Sequence, residues 1–149
     1  LTTELKGPNG LAFSPDERLL YVADTSAARP GHGRNHCLWV FDVRAGRTLV
    51  DGRVFAEIGP GVPDGFRLDA QGWIYTSAAD GVQVLHPDGT LLGKIPVPEM
   101  VGNVTFGGTG RDVLYVTAST SLYRIRLATT GVPDRSRHVS CSGGFPPVR

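Results

Sequence analysis

The feature that most constrains the fold is an alternation of apolar and polar residues with a period of two, which recurs along most of the chain. Short runs rich in β-branched and aromatic residues are bounded by turn residues, and such runs predict β-strands. No window keeps apolar residues at helical spacing over three turns, and 20 Gly and 11 Pro would interrupt most helices. The sequence therefore predicts an all-β chain. The predicted strands include Leu19–Ala23, Leu38–Val43, Trp73–Ser77, Gly81–Leu85, Val113–Ala118 and Ser121–Leu127.

These strands belong to a pattern that occurs three times. The copies begin at Asn9, Asp64 and Asn103, and each has a polar residue, a short strand, a turn and a strand that contains a tyrosine. Two further strands follow each of the first two copies, whereas the third copy is shorter. A repeat of about 40–55 residues with four antiparallel strands is typical of a β-propeller blade. The sequence thus predicts two to three blades over residues 1–131, followed by an irregular tail over residues 132–149.

The number of blades and the charge of the chain limit the kinds of partner that we expect. Propellers close with roughly four to eight blades, so we expect that the N-terminal half of the propeller is missing from this chain and is its partner in the folded protein. The formal net charge is +1, its charges are scattered, and its apolar runs are short. These features argue against nucleic-acid and membrane partners. The sequence leaves the compartment open between cytoplasmic and periplasmic or secreted.

The triplet Pro-Asp-Gly occurs twice, at residues 63–65 and 87–89. It is common turn chemistry, but the repeat gives its two copies different positions. Asp88 lies in a hairpin between the third and fourth strands of a blade, so we interpret it as a turn residue at the rim. Asp64 precedes the innermost strand, which begins at the central channel, and Asn9 has the equivalent position one blade earlier. Two neighbouring blades therefore offer the oxygen ligands that a hard divalent cation prefers.

The chain resembles the C-terminal half of the senescence marker protein (regucalcin)/gluconolactonase family, from about Gly7 to Gly131. The resemblance is carried by the segments GPNGLAFSPDERLLYVADT, VPDGFRLDAQGWIYTSAADGVQVLHPDGTLLGKIPVP and GNVTFGGTGRDVLYVTASTSLYRIRL. It implies a six-bladed propeller that hydrolyses lactones at one divalent metal ion in its channel. In that family a Glu, an Asn and an Asp hold the ion. The Asn and Asp match Asn9 and Asp64, whereas the Glu comes from a first blade that this sequence does not contain.

The resemblance also implies a cofactor and further roles. Ca²⁺ is the expected ion, with Zn²⁺, Mg²⁺ or Mn²⁺ as alternatives. Asp64 is expected to act as the general base as well as a ligand, because its second oxygen would lie beside the reacting water. Asn103 matches a family position that borders the pocket and is predicted to contact the substrate. Since the family's Glu lies outside this sequence, the complete propeller is the expected active form.

A Gly- and Pro-rich segment in the first blade predicts a loop over the channel. It carries His32 and His36, whose four-residue spacing would form a metal-binding pair only on a helix. Pro30 and Gly31 exclude a helix there. Because loops of this length between strands often shape substrate access, we expect His36 or Arg34 to contact the substrate.

The leading functional prediction is metal-dependent hydrolysis of a sugar lactone by the complete propeller. No Gly-x-Ser-x-Gly segment is present, which argues against a nucleophilic serine. Two alternatives stay open: a non-catalytic propeller that binds calcium or another ligand, and a related esterase or organophosphatase that uses the same site. Cation content measured together with turnover would distinguish them.

Overall fold

The computed structural model describes residues 3–133, and over this range it contains eleven strands in three antiparallel sheets. In each sheet, strands that follow one another in the chain are hydrogen-bonded neighbours. The first sheet contains β1 (Pro8–Phe13), β2 (Leu19–Asp24), β3 (Cys37–Arg44) and β4 (Thr48–Glu57). The second contains β5 (Phe66–Leu68), β6 (Ile74–Ala78), β7 (Gly81–Leu85) and β8 (Leu91–Pro96). The third contains β9 (Val101–Gly107), β10 (Val113–Ala118) and β11 (Leu122–Arg126).

The all-β prediction is confirmed. The predicted strands match the observed ones to within one residue at each end, and the third sheet is the shorter one, as the third copy of the repeat indicates. Between residues 3 and 133 the only helix is a three-residue 3₁₀ turn, Ser26–Ala28, and no helix in that range is long and apolar enough to cross a membrane. Most of the predicted irregular tail, residues 134–149, lies outside the described residues. The domain boundary at residue 131 therefore stays a prediction.

The core lies between the sheets, because each sheet turns an apolar face towards the next one. Between the first and second sheets, the fully buried side chains include Leu38, Phe66 and Ile74. Between the second and third sheets, Val82 and Leu114 have the same role. The innermost strands β1, β5 and β9 consequently lie side by side. As a result, the N-terminal ends of β1, β5 and β9 lie close together at one end of the three sheets.

A buried carboxylate ties the segment after β11 back to the second sheet. Asp69 accepts hydrogen bonds from the backbone N–H groups of Gln71 and Trp73, both at 2.9 Å. Its other oxygen accepts the hydroxyl of Thr129 at 2.9 Å, and Asp69 also pairs with Gly131 as an isolated bridge. The segment that follows the third sheet is therefore fixed against the second sheet.

Candidate functional site

Asn9 and Asp64 meet where the innermost strands of the first two sheets begin. Although 55 residues separate them, Asn9 Nδ2 donates a hydrogen bond to Asp64 Oδ1 at 2.7 Å. The backbone N–H of Asp64 also donates to Ser77 Oγ at 2.7 Å, which fixes Asp64 to its own blade. Within residues 3–133, Asn9 Oδ1 and Asp64 Oδ2 accept no hydrogen bond. Two neighbouring blades thus bring an amide and a carboxylate together, and each keeps one side-chain oxygen without a hydrogen bond from the described residues.

The glycine after each of these residues is required by the close approach of the blades. A Cβ at Gly10 would lie 2.2 Å from the backbone oxygen of Asp64, and a Cβ at Gly65 would lie 2.0 Å from Asn103 Oδ1. Glycine is the residue that permits such approaches between backbones. Residues 62–65 form no turn and lead directly into β5. The first Pro-Asp-Gly therefore has a different structural role from that of a turn.

The hydrogen bonds between blades identify the equivalent position in the third sheet as Gly102. Gly10 N–H donates to the carbonyl of Asp64 at 3.2 Å, and Gly65 N–H donates to the carbonyl of Gly102 at 2.8 Å. Asn103, the residue after Gly102, is therefore the counterpart of Gly10 and Gly65 rather than of Asn9 and Asp64. Successive strand residues face opposite sides, and the side-chain oxygen of Asn103 accepts the backbone N–H of the next residue at 2.8 Å.

A cleft of about 210 Å³ lies beside Asp64. Val62 and Ala79 of the second blade form one wall, and Met100 and Gly102 belong to the opposite wall from the third blade. A Cβ added at Gly102 would lie 3.9 Å from Asp64 Oδ2, which is an ordinary contact distance. The missing side chain at Gly102 therefore leaves space next to the free carboxylate oxygen, where a small molecule can enter.

Asn103 lies in a different cavity, of about 350 Å³, which it lines together with Arg67 and Tyr115. The structure places Asn103 against Gly65, next to Asp64, but the cleft that contains Asp64 does not include it among its walls. Its predicted contact with a substrate stays a prediction.

The predicted access loop lies at the same end of the first blade as Asn9. Pro8 pairs with Asp24 in the strand ladder, and Asp24 pairs with Cys37, so residues 25–36 connect β2 and β3 at that end. This position agrees with a loop beside the mouth of the channel.

His36 is half-buried at the end of this loop, and its Nδ1 lies 2.8 Å from the carbonyl oxygen of Ile58. Because a carbonyl only accepts, Nδ1 carries the proton in this contact. Arg34 and His32 are exposed. A substrate contact by His36 or Arg34 stays a prediction, and the hydrogen bond to Ile58 gives His36 a structural role as well.

Asp24, which the sequence analysis missed, holds the base of the loop. It is completely buried, and it accepts the backbone N–H groups of Lys6, Gly7 and Ser26 at 2.9–3.1 Å and Asn35 Nδ2 at 2.9 Å. Burial alone raises the pKa of Asp24, but the hydrogen bonds from Asn35, Lys6 and Ser26 together hold the pKa below its usual value. The carboxylate therefore keeps both ends of the loop in place as an anion.

Asp88 lies at the tip of the β7–β8 hairpin, as predicted. Its Oδ1 accepts the backbone N–H of Thr90 at 2.8 Å and lies 3.0 Å from His86 Nδ1. The hydrogen bonds from Thr90, followed by those from His86, lower the pKa of Asp88 to about 2. The interpretation of Asp88 as a turn residue is confirmed.

The donor chemistry of the Asn9–Asp64 pair fits part of a cation site. Hard divalent cations bind carboxylate and amide oxygens, and the pair offers one of each, held together by the hydrogen bond from Asn9 Nδ2 to Asp64 Oδ1. Among residues 3–133, no group of three or more His, Cys, Asp or Glu side chains converges on a common point. The pair therefore supplies two ligands, and further ligands have to come from elsewhere.

Antiparallel sheets that pack face to face, with their first strands side by side, define this structure as part of a β-propeller. The chain belongs to the SMP-30/gluconolactonase/LRE-like family, whose characteristic region matches residues 1–120. The family and fold predictions are therefore confirmed.

Two characterised relatives and one solved structure illustrate the similarity. The gluconolactonase of Zymomonas mobilis is 35% identical over 137 residues, covering 85% of this chain and 36% of that protein. The pentonolactonase XacC of Haloferax volcanii is 32% identical over 150 residues, covering 85% of this chain and 50% of that protein. The structure of a gluconolactonase from Xanthomonas campestris superposes with a TM-score of 0.73 at 40% identity, over 85% of this chain and 39% of that one. The chain thus spans half or less of the length of these relatives.

Proposed function

We propose that the protein containing these blades hydrolyses sugar lactones, with Asn9 and Asp64 as two ligands of a divalent cation. The observation that carries this proposal is the 2.7 Å contact between Asn9 and Asp64, which joins neighbouring blades beside a cleft. The names of the relatives, a gluconolactonase and a pentonolactonase, support an aldonolactone as the substrate. Asn103 and His36 are proposed as additional contacts to that substrate.

The cation is proposed to be Ca²⁺, with Mg²⁺, Mn²⁺ or Zn²⁺ as alternatives. Ca²⁺ takes six to eight oxygen ligands, and both carboxylate and amide oxygens are among them. Asn9 would present Oδ1, since its Nδ2 is engaged with Asp64. When bound, the cation would polarise the lactone carbonyl and stabilise the negative charge that develops on its oxygen.

The two oxygens of Asp64 have separate surroundings, which suits it to act as a base. Oδ1 accepts from Asn9, and the backbone N–H is held by Ser77, so the carboxylate has a fixed orientation. If the cation is held through the remaining acceptor position of Oδ1, Oδ2, next to Gly102, is left to accept a proton from a water molecule that attacks the lactone carbonyl. The ester C–O bond of the ring then breaks, and the proton passes to the departing oxygen. The product is a hydroxy acid, which ionises and releases one proton per turnover.

Proton release on a γ- or δ-sugar lactone tests this proposal in protein produced from its complete reading frame. We expect chelator to abolish release and Asp64→Asn to lower kcat by about 10²–10⁴, the usual contribution of a general base. The matched control is Asp88→Asn, which changes the same residue type in the same triplet and should hydrolyse at the parent rate.

Two results would contradict the proposal: activity that chelator leaves unchanged, or an Asp64→Asn variant as fast as the parent. Cation binding without turnover of any lactone would instead favour the non-catalytic alternative. Turnover of aryl esters or phosphotriesters in preference to lactones would favour the esterase or organophosphatase alternative.

A further inference from the structure

Glu99, in the segment between β8 and β9, has every acceptor position of its carboxylate occupied. Oε1 accepts the hydroxyls of Ser121 and Tyr123, the latter at 2.7 Å. Oε2 accepts the backbone N–H of Thr120 at 2.7 Å and its hydroxyl at 3.0 Å. A carboxylate offers about four such positions. These bonds, with the Ser121 and Tyr123 hydroxyls foremost, hold the pKa of Glu99 at about 2.

These hydrogen bonds join two segments that form one wall of the cleft beside Asp64. Glu99 directly precedes Met100, and its partners begin in the β10–β11 turn directly after Ser119. Met100 and Ser119 both line the cleft, and Ser119 Oγ donates to the carbonyl of Met100 at 3.4 Å. Val101 anchors the middle of this wall in the core and pairs with Ala118 in the β9–β10 ladder, whereas Met100 is 62% exposed and adds little apolar packing. The Glu99 network supplies the fixed contacts at the end of the wall that precedes β9.

The same wall continues to the carboxylate of Asp64. Three residues after Glu99, the carbonyl of Gly102 accepts the N–H of Gly65 at 2.8 Å. A Cβ at Gly102 would lie 3.9 Å from Asp64 Oδ2, so this part of the wall borders the carboxylate. A shift of residues 99–102 would therefore change the space in which a lactone lies against Asp64.

We propose that Glu99 is a positioning residue that holds this wall and so sets the affinity for the part of the lactone that lies against it. The proposal rests on the proposed function. Because the four hydrogen bonds occupy the carboxylate, Glu99 neither binds the cation nor takes a proton during the reaction. Its effect passes through the backbone from Met100 to Gly102.

The test compares Glu99→Ala with Glu99→Gln in protein produced from its complete reading frame. A glutamine can keep the acceptor for Thr120 N–H, while its amide N–H groups donate to the hydroxyls of Ser121 and Tyr123, which can also accept. We expect Glu99→Ala to raise KM for an aldonolactone about tenfold with little change in kcat, the pattern of lost ground-state binding. Glu99→Gln should restore KM to near the parent value, and neither variant should change cation affinity.

Amide hydrogen exchange gives a readout that does not depend on activity. Exchange at residues 100–102 and 117–119 should become faster in Glu99→Ala but not in Glu99→Gln. Tyr123→Phe removes one donor and should give a smaller effect in the same direction, even if Glu99→Ala folds poorly. The matched control is Asp112→Asn, which removes an acidic side chain from the opposite end of the same blade, where it pairs with Arg126 at 3.1 Å.

The outcomes separate this inference from the proposed function. Unchanged exchange and unchanged KM in Glu99→Ala would overturn the positioning role. A Glu99→Gln variant as poor as Glu99→Ala would show that the charge is needed, which also overturns it, and so would a loss of kcat as large as that of Asp64→Asn. A parent protein without lactone hydrolysis would refute the proposed function, while the exchange experiment would still decide whether Glu99 holds the wall.

Discussion

The two Pro-Asp-Gly triplets have the same sequence but opposite surroundings. Asp64 accepts a hydrogen bond from Asn9 in another blade, 55 residues away. Asp88 accepts hydrogen bonds from Thr90 and pairs with His86, each two residues away within one hairpin. The first triplet therefore connects blades, and the second closes a turn. The position of a triplet within the repeat, rather than its composition, decides which of these roles it has.

The glycines of the two triplets, Gly65 and Gly89, are also required for different structural reasons. Gly89 has a φ of 91°, a left-handed conformation that favours glycine, and it ends the turn in the hairpin. At Gly65 the constraint is space, because a Cβ would lie 2.0 Å from the side-chain oxygen of Asn103 in the next blade. The glycine of this triplet can thus be required by backbone conformation, as at Gly89, or by a neighbouring strand, as at Gly65.

The largest difference that we expect between the two triplets is in cation affinity. Asn9→Ala and Asp64→Ala each remove a proposed ligand, and replacement of even an outer-shell partner typically costs about 10–100-fold in affinity. Each variant should therefore weaken Ca²⁺ binding by at least that factor in a calorimetric titration. Asp88→Ala should bind like the parent. Equal losses in all three variants would show that the two triplets are not functionally different.

A smaller difference is expected in the free energy of unfolding when the glycines of the inner strands are replaced. Gly65→Ala forces a methyl group against Asn103 and should destabilise the protein by about 1–3 kcal/mol, as overpacking does. Gly102 has the position in the third sheet that Asp64 has in the second, and a Cβ there meets only ordinary contacts. Gly102→Ala should therefore change the free energy of unfolding by no more than about 0.5 kcal/mol. Denaturant unfolding of both variants measures this. A Gly65→Ala variant as stable as Gly102→Ala would contradict the close approach of the second and third blades.

The smallest effect concerns the pH dependence of the hairpin. The pKa of Asp88 is lowered to about 2, chiefly by the N–H of Thr90, so the ionised carboxylate stabilises the folded protein above its ordinary pKa of 3.8. This stabilisation is lost as the pH falls from about 4 towards 2. The difference in melting temperature between the parent and Asp88→Asn should accordingly be present at pH 5 and shrink near pH 2. A difference that does not depend on pH would mean that the charge of Asp88 contributes nothing.

The sequence was sufficient to predict the strands, the blades and the meeting of Asn9 with Asp64, because these follow from alternation and from a repeat. It could not show that Gly102, rather than Asn103, has the position in the third sheet that Asp64 has in the second. Tyr21 and Tyr115 follow Asn9 and Asn103 at the same distance in the sequence. In the strand ladders, however, Tyr21 pairs with Ala12, three residues after Asn9, whereas Tyr115 pairs with Thr105, two residues after Asn103. The two turns therefore differ by one residue in register, and one residue changes the side to which a strand residue points.

The buried or fully bonded carboxylates were also beyond prediction. Asp24, Asp69 and Glu99 each accept hydrogen bonds from residues that the chain brings close only after folding, such as Thr129, which lies 60 residues from Asp69. No local pattern marks such a residue, because its partners come from loops whose paths depend on the packing of whole blades. Only the polar residue before an inner strand carries a signal that recurs with the repeat.

The central claim is that Asn9 and Asp64, contributed by different blades, form one site. A double-mutant cycle on lactone hydrolysis tests it most directly, with Asn9→Ala, Asp64→Ala and the double variant measured in protein from the complete reading frame. Residues that share one ligand or one hydrogen bond show coupling energies of about 0.5–3 kcal/mol, whereas distant sites add. We predict that the double variant loses much less activity than the product of the two single losses. Losses that multiply independently would contradict a shared site.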